Sequence, residues 1–248
     1  QCNEKGLLSR LITGSYILGR DSVVVRSKRN LTSEHLNEIR DAVQHLTGLG
    51  IVEQTPQQVI VQSFVDPSKF PIHGLMTRLH RVAISMLDSA IQALVERKAD
   101  LASQVPPMEN EANRIYWLIV RQLLLVAGDR ALGRRVGIEN PLDVLLERLV
   151  SKYLEGMADC AENIANEVLE IVSSSHQIQK GLISDIHKFS DHITEISENA
   201  LKALFDLDAR LANRTIEAAM KAVESQRKVV DRIVSEVTDR NVAVSLRT

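Results

Sequence analysis

Leu149-Val-Ser-Lys-Tyr-Leu-Glu-Gly-Met-Ala-Asp-Cys-Ala-Glu-Asn-Ile-Ala165 is the stretch from which the fold can be read. Val150, Leu154, Met157, Ala161, Ile164, Val168 and Ile171 follow one another at steps of four and three. That period belongs to a helix with one apolar stripe and to no strand. Its length, from Pro141 to about Ser173, implies packing along most of a helical bundle.

Working outward, the same pattern recurs on both sides. Leu75, Leu79, Val82, Met86, Ala90 and Leu94 mark a long helix upstream. Another runs from about Ala99 to Ala127, with a break expected at Pro106-Pro107. Downstream, Ile178, Leu182, Ile186, Phe189, Ile193, Ile196 and Ala200 mark a fourth helix. A fifth carries Ala212, Ile216, Ala219, Val223, Gln226, Val230, Ile233 and Val237. Sustained near-3.5 periodicity predicts an antiparallel bundle with coiled-coil-like packing. The segment Ala90–Ala102 aligns with Ala200–Ala212 at an offset of 110, where one long helix gives way to the next. The bundle therefore reads as a tandem duplication.

The first 66 residues differ. Leu7–Leu18 reads as a helix and Asp21–Ser27 as a β-branched strand. Ser33–Leu46 reads as a helix capped by Thr32 and stopped before Gly48. Gly50–Gln54 and Gln58–Gln62 then form two strands joined by a turn at Pro56. The fold class expected is mostly α, preceded by a small α-β-α-β-β domain. The domains are 1–66, a first three-helix repeat over 67–175, and a second over 176–248 that stops before its last helix.

Composition excludes several classes of function. A net charge of −2 gives no global attraction for nucleic acid or an anionic membrane. Cys2 and Cys160 form no disulfide framework and no zinc spacing, which suits a reducing, cytoplasmic setting. No apolar run reaches the ~18 residues of a membrane-spanning helix, so no membrane insertion is expected. No phosphate-binding loop, nucleophile elbow or zinc-protease motif is present, and the chain does not read as an enzyme, with no catalytic residues assigned. The seven histidines are scattered; His73 with His80, and His187 with Asp191, share helix faces without further ligands nearby in sequence. On the helix quoted first, Glu155, Asp159, Glu162 and Asn166 form a polar row read as a solvated face opposite Met157, Ala161 and Ile164. Such a row offers oxygen ligands to a hard cation.

Asn113–Leu123 and Leu149–Ala165 resemble the first repeat of PhoU, the phosphate uptake regulator, most closely its archaeal branch. The resemblance extends back through Leu75–Leu101 and to Gly14–Gly19 and Leu49–Glu53 of the small domain. It implies two three-helix repeats, often dimeric, and negative control of phosphate uptake. The partners implied are a second copy and a phosphate transporter or its signalling protein. It also implies acid-x-x-x-Asp motifs that hold iron or other metal ions. Glu155 and Asp159 match that motif in full; Glu109 matches, but Asn113 stands where Asp is expected. Asp231 matches while Arg227 replaces its acid partner. The metal set carried over is Glu109, Glu155 and Asp159, binding iron, manganese or a similar cation weakly. Archaeal relatives often begin with an AbrB-type DNA-binding domain. The chain thus reads as a fragment without it, and the alternatives are the dimerising, sensing half of a transcriptional regulator or a metal-binding bundle. DNA contact would come only through that absent domain.

Overall fold

The computed structural model describes residues 4–140, 142–174 and 177–246. Cys2, Pro141 and the expected boundary at 175/176 lie outside them. The order of elements is α1 (Leu7–Ile17), β1 (Ser22–Arg26), α2 (Ser33–Gln44), β2 (Leu49–Gln54), β3 (Gln58–Ser63), α3 (Ile72–Glu96), α4 (Ala99–Ala102), α5 (Val105–Gly128), α6 (Arg130–Val136), α7 (Asp143–Ser173), α8 (Lys180–Phe205), α9 (Ala209–Glu236) and α10 (Arg240–Ser245). A single 3₁₀ turn, Pro67–Lys69, precedes α3. The fold class read from the sequence is the one found: mostly helical, with a small three-stranded antiparallel sheet near the N-terminus.

The chain divides into two compact units that do not follow the sequence order. One comprises Gln1–Leu79 and Asn110–Glu155, the other His80–Glu109 and Gly156–Thr248.

In the first unit the sheet order is β1-β3-β2, with Val24 opposite Ile60 and Ile51 opposite Val61. Val59 and Val61 alternate into a core with Leu8, Ile12 and Tyr16 of α1 and Ile39 and Ala42 of α2. Thr32 caps α2 as the sequence suggests: its hydroxyl accepts from the His35 amide, and His35 Nδ1 accepts from the Thr32 amide. Imidazole here takes the place that Glu or Gln holds in a capping box. Gly48 adopts φ +70, and a side chain there would run into Val65 Cγ2, so the turn out of α2 requires glycine.

Arg121 of α5 is fully buried in this unit. Its guanidinium donates to the Tyr16 carbonyl at 2.6 Å, the Arg20 carbonyl at 3.1 Å and the Asp21 carboxylate at 2.9 Å. Buried Gln122, its neighbour, donates to the carbonyls of Pro67 and Phe70. Successive side chains of α5 therefore hold the turn after α1 and the turn before α3. The carbonyls of Arg20 and Phe70 gain a donor this way, and those of Tyr16 and Pro67 gain a second one beside the amides of Gly19 and Phe70.

Two details depart from expectation. The break near Pro106-Pro107 falls earlier, at Ser103-Gln104, and both prolines sit in the first turn of α5. There a missing N–H costs nothing, so proline starts the helix instead of kinking it. Helix α6 was not expected; it is two turns long, capped by Asp129 and ended by Gly137 at φ 92. So short a helix leaves almost no periodic signal.

The second unit carries structural evidence for the duplication. Arg97 and Leu207, at the offset of 110, are the non-glycine residues with positive φ among the described residues, at 54° and 50°. The bonds that close the two turns match as well: Lys98 N to Ala93 O at 3.0 Å, and Asp208 N to Ala203 O at 2.9 Å. A six-to-one bond of this type closes a helix end around a left-handed residue. Beyond Leu207, the Asp208 side chain caps α9 through the amides of Arg210 and Leu211.

Helix α9 corrects the sequence reading in one respect. Of its expected stripe, Ile233 and Val237 are buried, but Ile216 and Val223 are 60% and 50% exposed. A strict heptad drifts by about 20° per repeat on an α-helix. Followed over three repeats, this stripe starts on the outer face and ends in the core. Ile186 and Ile193 of α8 and Val230 of α9, from the apolar stripes of these helices, are half-buried.

Candidate functional site

Glu155 and Asp159 lie one turn apart on α7, and Glu109 lies near the start of α5. The row containing them borders the packed face of α7; it does not oppose it. Leu154, Ala158, Ala161, Ala165 and Val168 form that packed face. At ~100° per residue it lies roughly a quarter-turn from the row. The expectation of a solvated face is therefore corrected at Glu155, which is 8% exposed. Asp159, Glu109 and Asn113 are half-buried. The Glu155 carboxylate is ion-paired with Lys152, whose ammonium also stands 5.6 Å from the centre of the Tyr116 ring. Arg148 adds a second cation over the same ring at 5.2 Å. A metal ion at Glu155 would have to displace Lys152. Among the described residues, no three His, Cys, Asp or Glu side chains are grouped so as to hold a metal ion. Asp231 and Arg227 are both exposed on α9.

A second group of polar residues is assembled by the fold of the second unit. Helix α3 contributes His80, Asp88 and Gln92; α8 contributes His187, Asp191, Ser197 and Glu198. His80 is buried, with Nε2 2.9 Å from Ser197 Oγ. His187 stands 3.4 Å from Asp191 through Nδ1 and 3.3 Å from the Gln92 amide through Nε2. Burial pushes the His80 imidazole below its usual range, against the opposing pull of Glu198. The Asp88 carboxyl is pushed up, first by desolvation and then by Asp191 and Glu198, with His187 acting against them. Two carboxylates and an imidazole thus set the charge that Asp88 meets on this face of the helices. The spacing of His187 and Asp191 hinted at half of this cluster; the α3 half depended on which helix packs on α8.

Between α8 and α9 runs a groove of ≈ 230 Å³, lined on α8 by Asp185, Lys188, Phe189 and His192 and on α9 by Ser225, Lys228, Val229 and Arg232. Each helix supplies residues at i, i+3, i+4 and i+7, as two antiparallel helices must. Arg232 crosses it, paired with Asp185 and with Glu236 on its own helix.

The helices α3 to α7 that carry His80, Asp88, Glu109, Glu155 and Asp159 are also where the chain is similar to something known. Residues 76–168 match the PhoU domain. That domain marks a family of non-enzymatic regulators of phosphate homeostasis. The match includes Asn113–Leu123 and Leu149–Ala165, which carried the resemblance in the sequence, and leaves out the small α/β domain. No curated protein and no solved structure matches the chain. Among the described residues, no helix is long and apolar enough to cross a membrane.

Proposed function

We propose that the chain is a non-enzymatic regulator of phosphate uptake that works by binding other proteins. The PhoU-domain match over 76–168 carries the reading. Long helices that keep apolar side chains in solvent support contact with a partner helix as the physical means. Met220 of α9, at 68% exposure, and Leu145 of α7, at 72%, are two such side chains. The transporter that admits phosphate, or the protein that signals its supply, is the partner the reading implies.

The test is phosphate uptake in the native host. With the gene deleted, cells kept in abundant phosphate should go on importing it at the rate of starved cells, and the gene in trans should restore restraint. Uptake that stays normal in the deletion strain, under both supplies, would overturn the proposal.

A further inference from the structure

Glu147, just over one turn into α7, is 5% exposed, more deeply buried than Glu155. Its Oε1 lies 2.8 Å from Nε2 of His73, in the first turn of α3 and 74 residues back in the chain. Its Oε2 is buried too, and among the described residues it has no hydrogen-bond partner. Half a carboxylate thus lies out of water with nothing to offset its desolvation.

The polar side chains that follow along both helices are committed elsewhere. Arg148 stands over the Tyr116 ring at 5.2 Å, and Lys152 lies over the same ring and pairs with Glu155. One turn on from His73, Thr77 Oγ1 donates to the His73 carbonyl at 2.8 Å. One turn on from Glu147, buried Ser151 donates through Oγ to the Arg148 carbonyl at 2.9 Å. Each hydroxyl has one proton, and both are spent on the backbone. What Oε2 lacks is a positive partner.

The two residues of the pair differ in freedom. Glu147 is fixed by burial, whereas the His73 side chain is 44% exposed and gives the carboxylate its way to solvent. An imidazole beside a carboxylate is a mixed nitrogen and oxygen pair. Such a pair suits zinc and its neighbours, while magnesium and calcium take oxygen ligands. Two ligands of one tetrahedral zinc ion stand about 3.3 Å apart, so the half-exposed ring must turn and part from the carboxylate by about 0.5 Å.

We propose that His73 and Glu147 together bind one divalent cation of the zinc class, with water completing its coordination. The ion replaces the proton between Nε2 and Oε1 and supplies the positive charge that the buried carboxylate lacks. It ties the first turn of α3 to the start of α7. The site shares no residue with Glu109, Glu155 and Asp159, stands apart from phosphate control and survives the failure of that reading.

The test uses the full chain, stripped with chelator and titrated with zinc ion in a calorimeter. One equivalent should bind, and excess magnesium should not displace it. His73→Ala and Glu147→Gln should each weaken binding at least about tenfold, whereas Asp159→Ala should leave it unchanged. Zinc should also raise the melting temperature of the parent and not that of His73→Ala. Because His73 stands half in solvent, its replacement keeps the fold and decides the matter even where Glu147→Gln is unstable. Absence of saturable binding, displacement by magnesium, or an affinity that His73→Ala leaves intact would each overturn the proposal. So would loss of binding in Asp159→Ala, because the ion would then belong to the carboxylate row.

Discussion

Arg121 holds Tyr16 in two ways at once: its guanidinium donates to the Tyr16 carbonyl at 2.6 Å and stands 4.9 Å from the centre of the Tyr16 ring. One side chain of α5 thereby satisfies the last turn of α1 and stacks on its aromatic anchor. Arg121→Met keeps much of the volume but removes the guanidinium donor from the Arg20 carbonyl and leaves the Tyr16 carbonyl with the Gly19 amide alone. A loss of about 2–4 kcal/mol is expected in urea unfolding. Arg121→Lys should recover little of it, because an ammonium cannot reproduce the fork of the guanidinium. A lysine variant as stable as the parent would show that charge alone matters here.

Tyr16 itself predicts behaviour at high pH. Its hydroxyl donates to the Thr47 carbonyl at 2.9 Å, and burial raises its pKa to about 12 against the countering pull of Arg121 and Arg114. A pKa raised by folding means stability that is complete below the unfolded value near 10 and is lost as pH rises toward 12. The loss should approach roughly 2–3 kcal/mol. Tyr16→Phe should cost about 1 kcal/mol at pH 7 and remove that part of the alkaline decline. Unfolding midpoints measured from pH 8 to 11.5 give the comparison.

His80 predicts the opposite slope on the acid side. Its imidazole is buried and lowered in pKa, so its contribution is full above the unfolded value near 6.5 and is lost as pH falls below it. His80→Gln, which keeps a polar contact with Ser197 in reach, should flatten the fall in stability between pH 7 and 5. An unaltered acid slope in that variant would assign the slope to other groups.

The ion pair of Glu155 and Lys152 revises what mutation of the carboxylate row should do. Asp159→Ala is expected to change stability by about 0.5 kcal/mol or less, whereas Glu155→Ala removes a buried carboxylate together with its ion pair to Lys152 and should cost about 1–2 kcal/mol. On titration with ferric or manganese ions the parent should bind weakly. Lys152→Ala, which removes the competing ammonium, should tighten that binding. Elemental analysis after chelator treatment is the second readout; stoichiometric metal in the parent would show that Lys152 is no obstacle.

Elements whose causes lie within a few residues were open to reading from the chain. The Thr32 cap, the turn at Gly48, the β-branched runs and the four-three spacing of α7 and α8 each act locally, through a hydrogen bond, a φ angle or a helix face. The likeness of Ala90–Ala102 to Ala200–Ala212 has a local counterpart too, the same left-handed turn at Arg97 and Leu207. Periodicity alone did not settle α9, where it could say that an apolar stripe exists but not which of two stripes another helix covers.

What tertiary structure decided is the environment of each charge. Nothing near Arg121 in sequence marks it as buried, since its three acceptors belong to Tyr16, Arg20 and Asp21, about a hundred residues away. His80 and Asp88 join Asp191 and Glu198 only because α3 packs on α8. Glu155, read from the sequence as part of a solvated face, is buried by the packing of α7, whereas its ion pair with the exposed Lys152 is a local one, three residues away on the same helix. Helical period, caps and turns are set by forces that act over one or two turns of chain. Burial and pairing of charge are set by desolvation and Coulomb terms between segments, which take a definite value only once the helices have packed.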